Sequence, residues 1–142
     1  MRHRVDRVEA RDVKLQLVKL GATPSQLKRP EVAELSKILY ENEIIEAFIL
    51  GYYDGGYGMM VATNIRVVFI DITPFGRLKI DDIPYGSVNS VELQIGMFFA
   101  SVSLFSGPVR YRFWWLNKNS AHDFNRYVEY QMLKHQKEDV KL

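Results

Sequence analysis

The chain has 142 residues, no cysteine and a formal net charge of +2. That length suits one domain with a real core. The missing cysteines exclude a disulfide scaffold and a thiolate nucleophile, and leave any zinc site to histidines and carboxylates.

Apolar residues at 47% and charged residues at 25% are ordinary for a globular protein. The first twenty residues are charged throughout rather than forming a secretory apolar segment. The longest apolar runs, such as 67–70, are far too short to cross a bilayer. A cytoplasmic location is expected. Charge is unevenly spread: residues 1–30 hold eight Lys/Arg against three acids, and residues 31–142 hold eleven against fourteen. A basic amino-terminal end can meet the rest of the chain, an acidic partner, nucleic acid or an anionic lipid surface.

Asp6 to Leu20 reads as a helix. Asp6 with Glu9 fits a capping box, and Ala10, Val13, Leu17 and Leu20 recur at helical spacing before a stop at Gly21. Thr23-Pro24-Ser25-Gln26 opens a turn or short helix. Pro30 opens another that turns Val32, Leu35, Ile38 and Leu39 inward. Residues 1–40 are thus predicted to form a helical extension, and residues 41–142 the main domain.

From Glu41 the pattern becomes that of strands. Ile44–Tyr52, Tyr57–Ala62, Arg66–Ile72, Leu78–Ile83, Ser90–Ile95 and Phe98–Phe105 are separated by Gly, Pro and Asn turns. In a last strand Val109, Tyr111, Phe113 and Trp115 are expected on one face, with Arg110, Arg112 and Trp114 on the other. Ser120 with Asp123 predicts a capping box for a final helix, whose stripe is Ala121, Phe124, Val128 and Met132. Seven short strands and one helix suggest a mainly β, α+β fold: a small barrel or sandwich with a helix over an open end.

Three features in order carry a family resemblance. They are Val61-Ala-Thr-Asn-Ile-Arg-Val-Val-Phe-Ile-Asp71, then Ile83-Pro84-Tyr85 with Val88-Asn-Ser-Val91, then Gly96-Met-Phe-Phe before a glycine-containing hairpin and a helix. Over roughly 41–134 the chain resembles the bacterial pleckstrin-homology-like (PH-like) domains, the YokE type in particular. The resemblance implies a strongly bent seven-stranded antiparallel sheet capped by a C-terminal helix. It also implies a binding or assembly module rather than an enzyme. PH domains that hold phosphoinositides place Lys and Arg around the first hairpin. Here that hairpin is Tyr52-Tyr53-Asp54-Gly55-Gly56-Tyr57, with an acid and no base, so inositol phosphate is not the expected ligand there.

Arg66 after the Thr63-Asn64 turn is expected to pair with Asp71, Asp81 or a turn carbonyl rather than contact a ligand. His3, His122 and His135 have no metal-binding spacing, although His122 could approach Asp123 and Asp82. Ser103, Ser106 and Ser120 lack a nucleophile motif. Asp81 and Asp82 are adjacent on a strand and should face apart. Gly55, Gly56 and Gly58 serve turns, since no helix follows to cradle a phosphate.

The expected function is a non-enzymatic module that binds a protein, or itself, through an exposed sheet edge and aromatic tips. Tyr52, Tyr53, Tyr57, Arg110, Arg112 and Trp114 are the expected contact residues. The bland alternative packs Trp114 beneath the N-terminal helices or the final helix. The functional alternative is a peripheral membrane module using Arg2, Arg4, Arg7 and Arg11 on anionic lipid. Residues 1–30 contain no Phe or Trp to anchor such a helix, and a solvated face is preferred. Nucleic acid, a cofactor, a metal and a small-molecule substrate are not expected.

Overall fold

The computed structural model describes residues 10–73 and 75–140, with side chains from residue 12 to 136. The expected capping box at Asp6 and Glu9 lies outside the described residues. Three helices come first: α1 (Ala10–Lys19), α2 (Pro24–Leu27) and α3 (Pro30–Ile38). Gly21 ends α1 with φ +98°, and the amide of Ala22 bonds back to Leu17 O at 3.0 Å. Thr23 and Gln26 form a complete capping box on α2.

Seven strands follow: β1 (Ile45–Tyr53), β2 (Gly56–Thr63), β3 (Arg66–Ile72), β4 (Leu78–Pro84), β5 (Ser90–Ile95), β6 (Ala100–Ser106) and β7 (Val109–Leu116). They form one antiparallel sheet in the order β4-β3-β2-β1-β7-β6-β5. β1 pairs with β2 along its length but meets β7 only at Tyr52↔Trp114 and Tyr53↔Phe113. The sheet is therefore two halves hinged at the end of β1 and folded over a common core. α4 (Lys118–Val140) packs onto that core with Ala121, Phe124, Val128 and Met132, as its spacing predicts.

Between the half-sheets lie Ile49, Met60, Phe69, Tyr85, Leu104 and Phe113. A second core forms on the outer face of β1–β3. There Val13 and Leu17 of α1, with Val32 and Leu35 of α3, cover Phe48, Leu50, Met59, Val61, Val68 and Ile70. β1–β3 are thus buried on both faces, which is why their sequences are continuous apolar runs rather than alternating ones. The outer face of β5–β7 has no such cover from α1 or α3 among these core contacts.

Three sequence expectations need correction. α4 is capped by Asn117, whose Oδ1 accepts the amides of Asn119 (2.9 Å) and Ser120 (3.2 Å); the Ser120–Asp123 box does not form, because the helix already begins at Lys118. β6 starts at Ala100, so Met97, Phe98 and Phe99 sit in the β5–β6 hairpin tip and not in a strand. The alternation of β7 also breaks. Ala100 faces Leu116 while Val102 faces Phe113, so two residues of β7, Trp114 and Trp115, oppose the single Ser101 of β6. This β-bulge puts Leu116 into the core where Trp115 was expected, and turns Trp115 to solvent at φ +56°.

Candidate binding surface

The Thr63-Asn64-x-Arg66 turn is a structural node. Arg66 Nε and Nη2 donate to the two oxygens of Glu43, each at 2.8 Å; Nη2 also donates to Ile38 O, and Nη1 lies 2.9 Å from Asp82. The Thr63 hydroxyl donates to Glu43 at 2.6 Å and accepts the amide of Arg66 at 3.1 Å. Asn64 Oδ1 accepts the Ile44 amide at 2.8 Å. Burial pushes the Glu43 carboxyl up. The bonds from Arg66, Thr63 and the Tyr40 amide outweigh it and hold the group below its ordinary value. Arg66 is structural, as expected, but its principal partner is Glu43, twenty-three residues away, with Asp82 second; neither Asp71, Asp81 nor a turn carbonyl of 63–65 holds it.

The end of the barrel bearing the β1–β2 turn is closed by aromatics. Tyr53 packs edge-on to Phe69, and Phe69 contacts Tyr111 and Phe113. The Tyr53 hydroxyl donates to Asp71, and that of Tyr111 donates to Asp81 at 2.6 Å. Burial first, and then the adjacent carboxylates, push both phenols well above the usual tyrosine value, so both remain protonated donors. Asp81 faces Tyr111 while Asp82 faces Arg66, so the two acids diverge. Asp54, Asp71 and Asp81 line this end, and the nearby cations Arg110 and Lys79 already face Asp54 and Asp81.

Tyr53 is thereby separated from the other expected contact residues, because its ring closes the core. Tyr52 and Tyr57 stay outside. They meet edge to face at 4.9 Å, and Tyr57 lies under the Arg29 guanidinium, 4.3 Å from its ring centre. Arg29 also pairs with the buried Glu31, so this contact fastens α3 to the sheet.

On the other side Tyr52 meets Trp115 at 5.3 Å. Trp114 is half-buried on the outer face of β7, with Arg112 at 5.4 Å over its ring. Arg112 forms no ion pair among the described residues, whereas Arg110 lies 3.5 Å from Asp54. The structure thus brings Tyr52, Tyr57, Arg112 and Trp114 towards one surface, with Arg110 near its upper rim. Arg2, Arg4 and Arg7 lie outside the described residues. Arg11 belongs to α1, and its side chain lies outside the described residues too.

Sequence reasoning missed the centre of this surface. Trp115 is 67% exposed. It lines an open groove of about 310 Å³ with Gln94, Ile95, Phe99, Ser101 and Trp114. Next to the groove, Met97 and Phe98 project from the hairpin tip, 81% and 77% exposed. The available signal was three large apolar residues directly after the turn glycine Gly96, inside a stretch, 93–109, with no ionisable side chain.

No group of three or more His, Asp or Glu among the described residues is placed to hold a metal. No described helix is long and apolar enough to cross a membrane. His122 lies 3.6 Å from Asp123, a surface pair.

Two half-sheets hinged at one strand, with a C-terminal helix packed onto their shared core, define a PH-like domain. The family described as "Bacterial PH domain" matches residues 39–130, and the chain belongs to it. The match begins just after α3, so α1–α3 precede the family's own extent. Among solved structures, the chain is similar to a pleckstrin homology domain from Shewanella amazonensis SB2B (TM-score 0.53, 20% identity, 71% of this chain and 94% of that chain). It is also similar to a DUF1696 family protein with a pleckstrin-homology domain from Shewanella loihica PV-4 (TM-score 0.45, 19% identity, 72% and 87%). No curated protein matches the chain.

Proposed function

We propose that this PH-like domain is a non-enzymatic module that binds protein through the bare outer face of β5–β7 and its seam with β1. The observation that carries this reading is Trp115. A non-glycine residue in left-handed backbone costs on the order of 1–2 kcal/mol, and here that cost presents a tryptophan to water. A bulge that re-aims a side chain outward at a strained position points to use of that side chain. Its surroundings, Trp114, Tyr52, Phe99 and Arg112, have the composition of interface hot spots. The free edge of β4 is a weaker candidate for strand addition, because Lys79, Asp81, Asp82 and Pro84 blunt it.

A photoreactive amino acid placed at position 115 in the native cell tests the reading. Discrete protein adducts are expected from position 115 and not from Glu129, on the exposed side of α4. Equal labelling from both positions, or adducts to lipid alone from position 115, would refute it.

A further inference from the structure

We infer that the occupant of this face is a second copy of the same chain, paired about a two-fold axis. The inference rests on the protein-binding reading above and commits it to one partner.

Three observations select a second copy. First, the face is self-complementary. Met97 and Phe98 form a protruding apolar knob directly beside an open apolar groove of about 310 Å³. A two-fold operation lets the knob of each copy enter the groove of the other, which is how an isologous interface closes. Second, the hairpin that forms the knob carries no charge to repel its own image, and the charged side chains of this face, Glu92 and Arg112, lie away from it on β5 and β7. Residues 93–109 contain no ionisable side chain. Lys118 is turned onto the loop, its Nζ donating to Met97 O at 2.7 Å. A surface built for a different partner gains from complementary charge, whereas one that meets itself is penalised by any net charge at its centre. Third, the area suffices. Ile95, Met97, Phe98, Phe99, Trp115 and Tyr52 are each half or more exposed. Together they present roughly 700 Å² of contiguous apolar surface, taking fully buried large side chains at about 150–250 Å² each. The largest patch on a monomer is about 300–600 Å², and a standard interface buries about 600–1,000 Å² per partner, a range that this surface enters.

The hairpin is also ready for burial. The Gly96 amide bonds to Phe99 O at 2.8 Å, and Lys118 satisfies the Met97 carbonyl, so three of the tip's backbone groups already have partners.

The test is sedimentation velocity on the full chain from low to high micromolar concentration, with intrinsic fluorescence read in parallel. Both tryptophans of the chain, Trp114 and Trp115, lie on this face. The expected result is a concentration-dependent shift from a 16.6 kDa species to its dimer, with a matching blue shift of emission. Met97→Ser with Phe98→Ser should weaken dimerisation roughly a hundredfold, because each copy loses its knob. The circular dichroism spectrum should stay unchanged, since both side chains are exposed in the monomer.

A monomer at every concentration overturns the inference, as does a dimer indifferent to the double substitution. Monomeric protein that gains its blue shift only on zwitterionic lipid vesicles also overturns it, and makes a lipid surface the occupant. The adducts from position 115 separate the two readings. Adducts to another protein on a monomeric chain leave the protein-binding reading standing and sink the second copy. No adduct at all sinks both.

Discussion

At position 115 the usual ranking of alanine and glycine should reverse. In an ordinary strand, glycine is worse than alanine by about 0.5–1 kcal/mol, because it loses more backbone freedom on folding. Trp115 has φ +56°, where a Cβ clashes with the backbone and only glycine is at ease. Trp115→Ala keeps that strain and loses the buried third of the ring, roughly 80 Å² or about 2 kcal/mol. Trp115→Gly loses the same contact but relieves about 1–2 kcal/mol of strain. Its net destabilisation should therefore be about 1 kcal/mol or less. The glycine variant should exceed the alanine variant by about 1 kcal/mol, a difference of about 2–4 °C in Tm for a chain of this size. Urea unfolding of the three proteins, with midpoints compared at equal m, measures it. Because Trp115 lies on the proposed interface, the unfolding should be run where the protein is monomeric. Both substitutions should weaken self-association alike, since both remove the indole. An alanine variant as stable as the glycine variant, or more so, would refute the claim that the bulge holds Trp115 in strained backbone, and with it the main support for a functional role.

Glu43→Gln should cost about 3 kcal/mol at neutral pH, because it leaves the buried Arg66 guanidinium with only Asp82 as a charged partner. The Glu43 carboxyl is held below its ordinary value of 4.5, so its contribution is fully present above that pH and is lost as pH falls through the folded value. The wild type should lose stability on that acid limb more steeply than Glu43→Gln, as read by urea midpoints between neutral and acid pH; parallel curves would contradict the assignment. Leu35→Ala, in the core between α3 and the sheet, should cost about 2–5 kcal/mol, and a loss below 1 kcal/mol in thermal unfolding would show that α3 is not tightly docked. Asn117→Ala should cost about 1 kcal/mol by removal of the helix cap, and Ser120→Ala close to nothing; the reverse ranking would restore the cap expected from sequence.

The strands were legible because each is bounded by strong turn residues, and all seven occur within a few residues of where the turns put them. The helical stripes were legible for the same reason: Val13 with Leu17, and Phe124 with Val128, recur at helical spacing and are buried. Three things were not legible. In β1–β3 both faces are apolar, so periodicity could not tell which residues meet α1 and α3 and which meet α4. The Arg66–Glu43 pair joins segments that lie side by side only after β1 and β2 have paired. The bulge at Trp115 is a register event between two strands, and alternation along β7 alone predicts the opposite orientation. That one residue matters most for the proposed interface, since a regular strand would have buried Trp115 and exposed Leu116.

The distribution of cover over the sheet argues that function lies away from the hairpin that dominates the sequence. Residues 58–71 are buried except at Asn64 and Ile65, their inner face filled by the barrel core and their outer face by α1 and α3. Their polar residues are also committed, Thr63, Asn64 and Arg66 to the segment before β1, and Asp71 to Tyr53. The aromatic-closed end beside them carries carboxylates, and the cations there, Lys79 and Arg110, already face Asp81 and Asp54. A ligand surface needs exposed side chains, and the large apolar ones at Trp115, Phe98 and Met97 lie outside the cover of α1 and α3. The N-terminal helices thus have a consequence beyond stability. By covering one half-sheet and fastening to its rim through Arg29 on Tyr57, they leave the outer face of the other half-sheet without their cover, with an exposed apolar hairpin tip at its end.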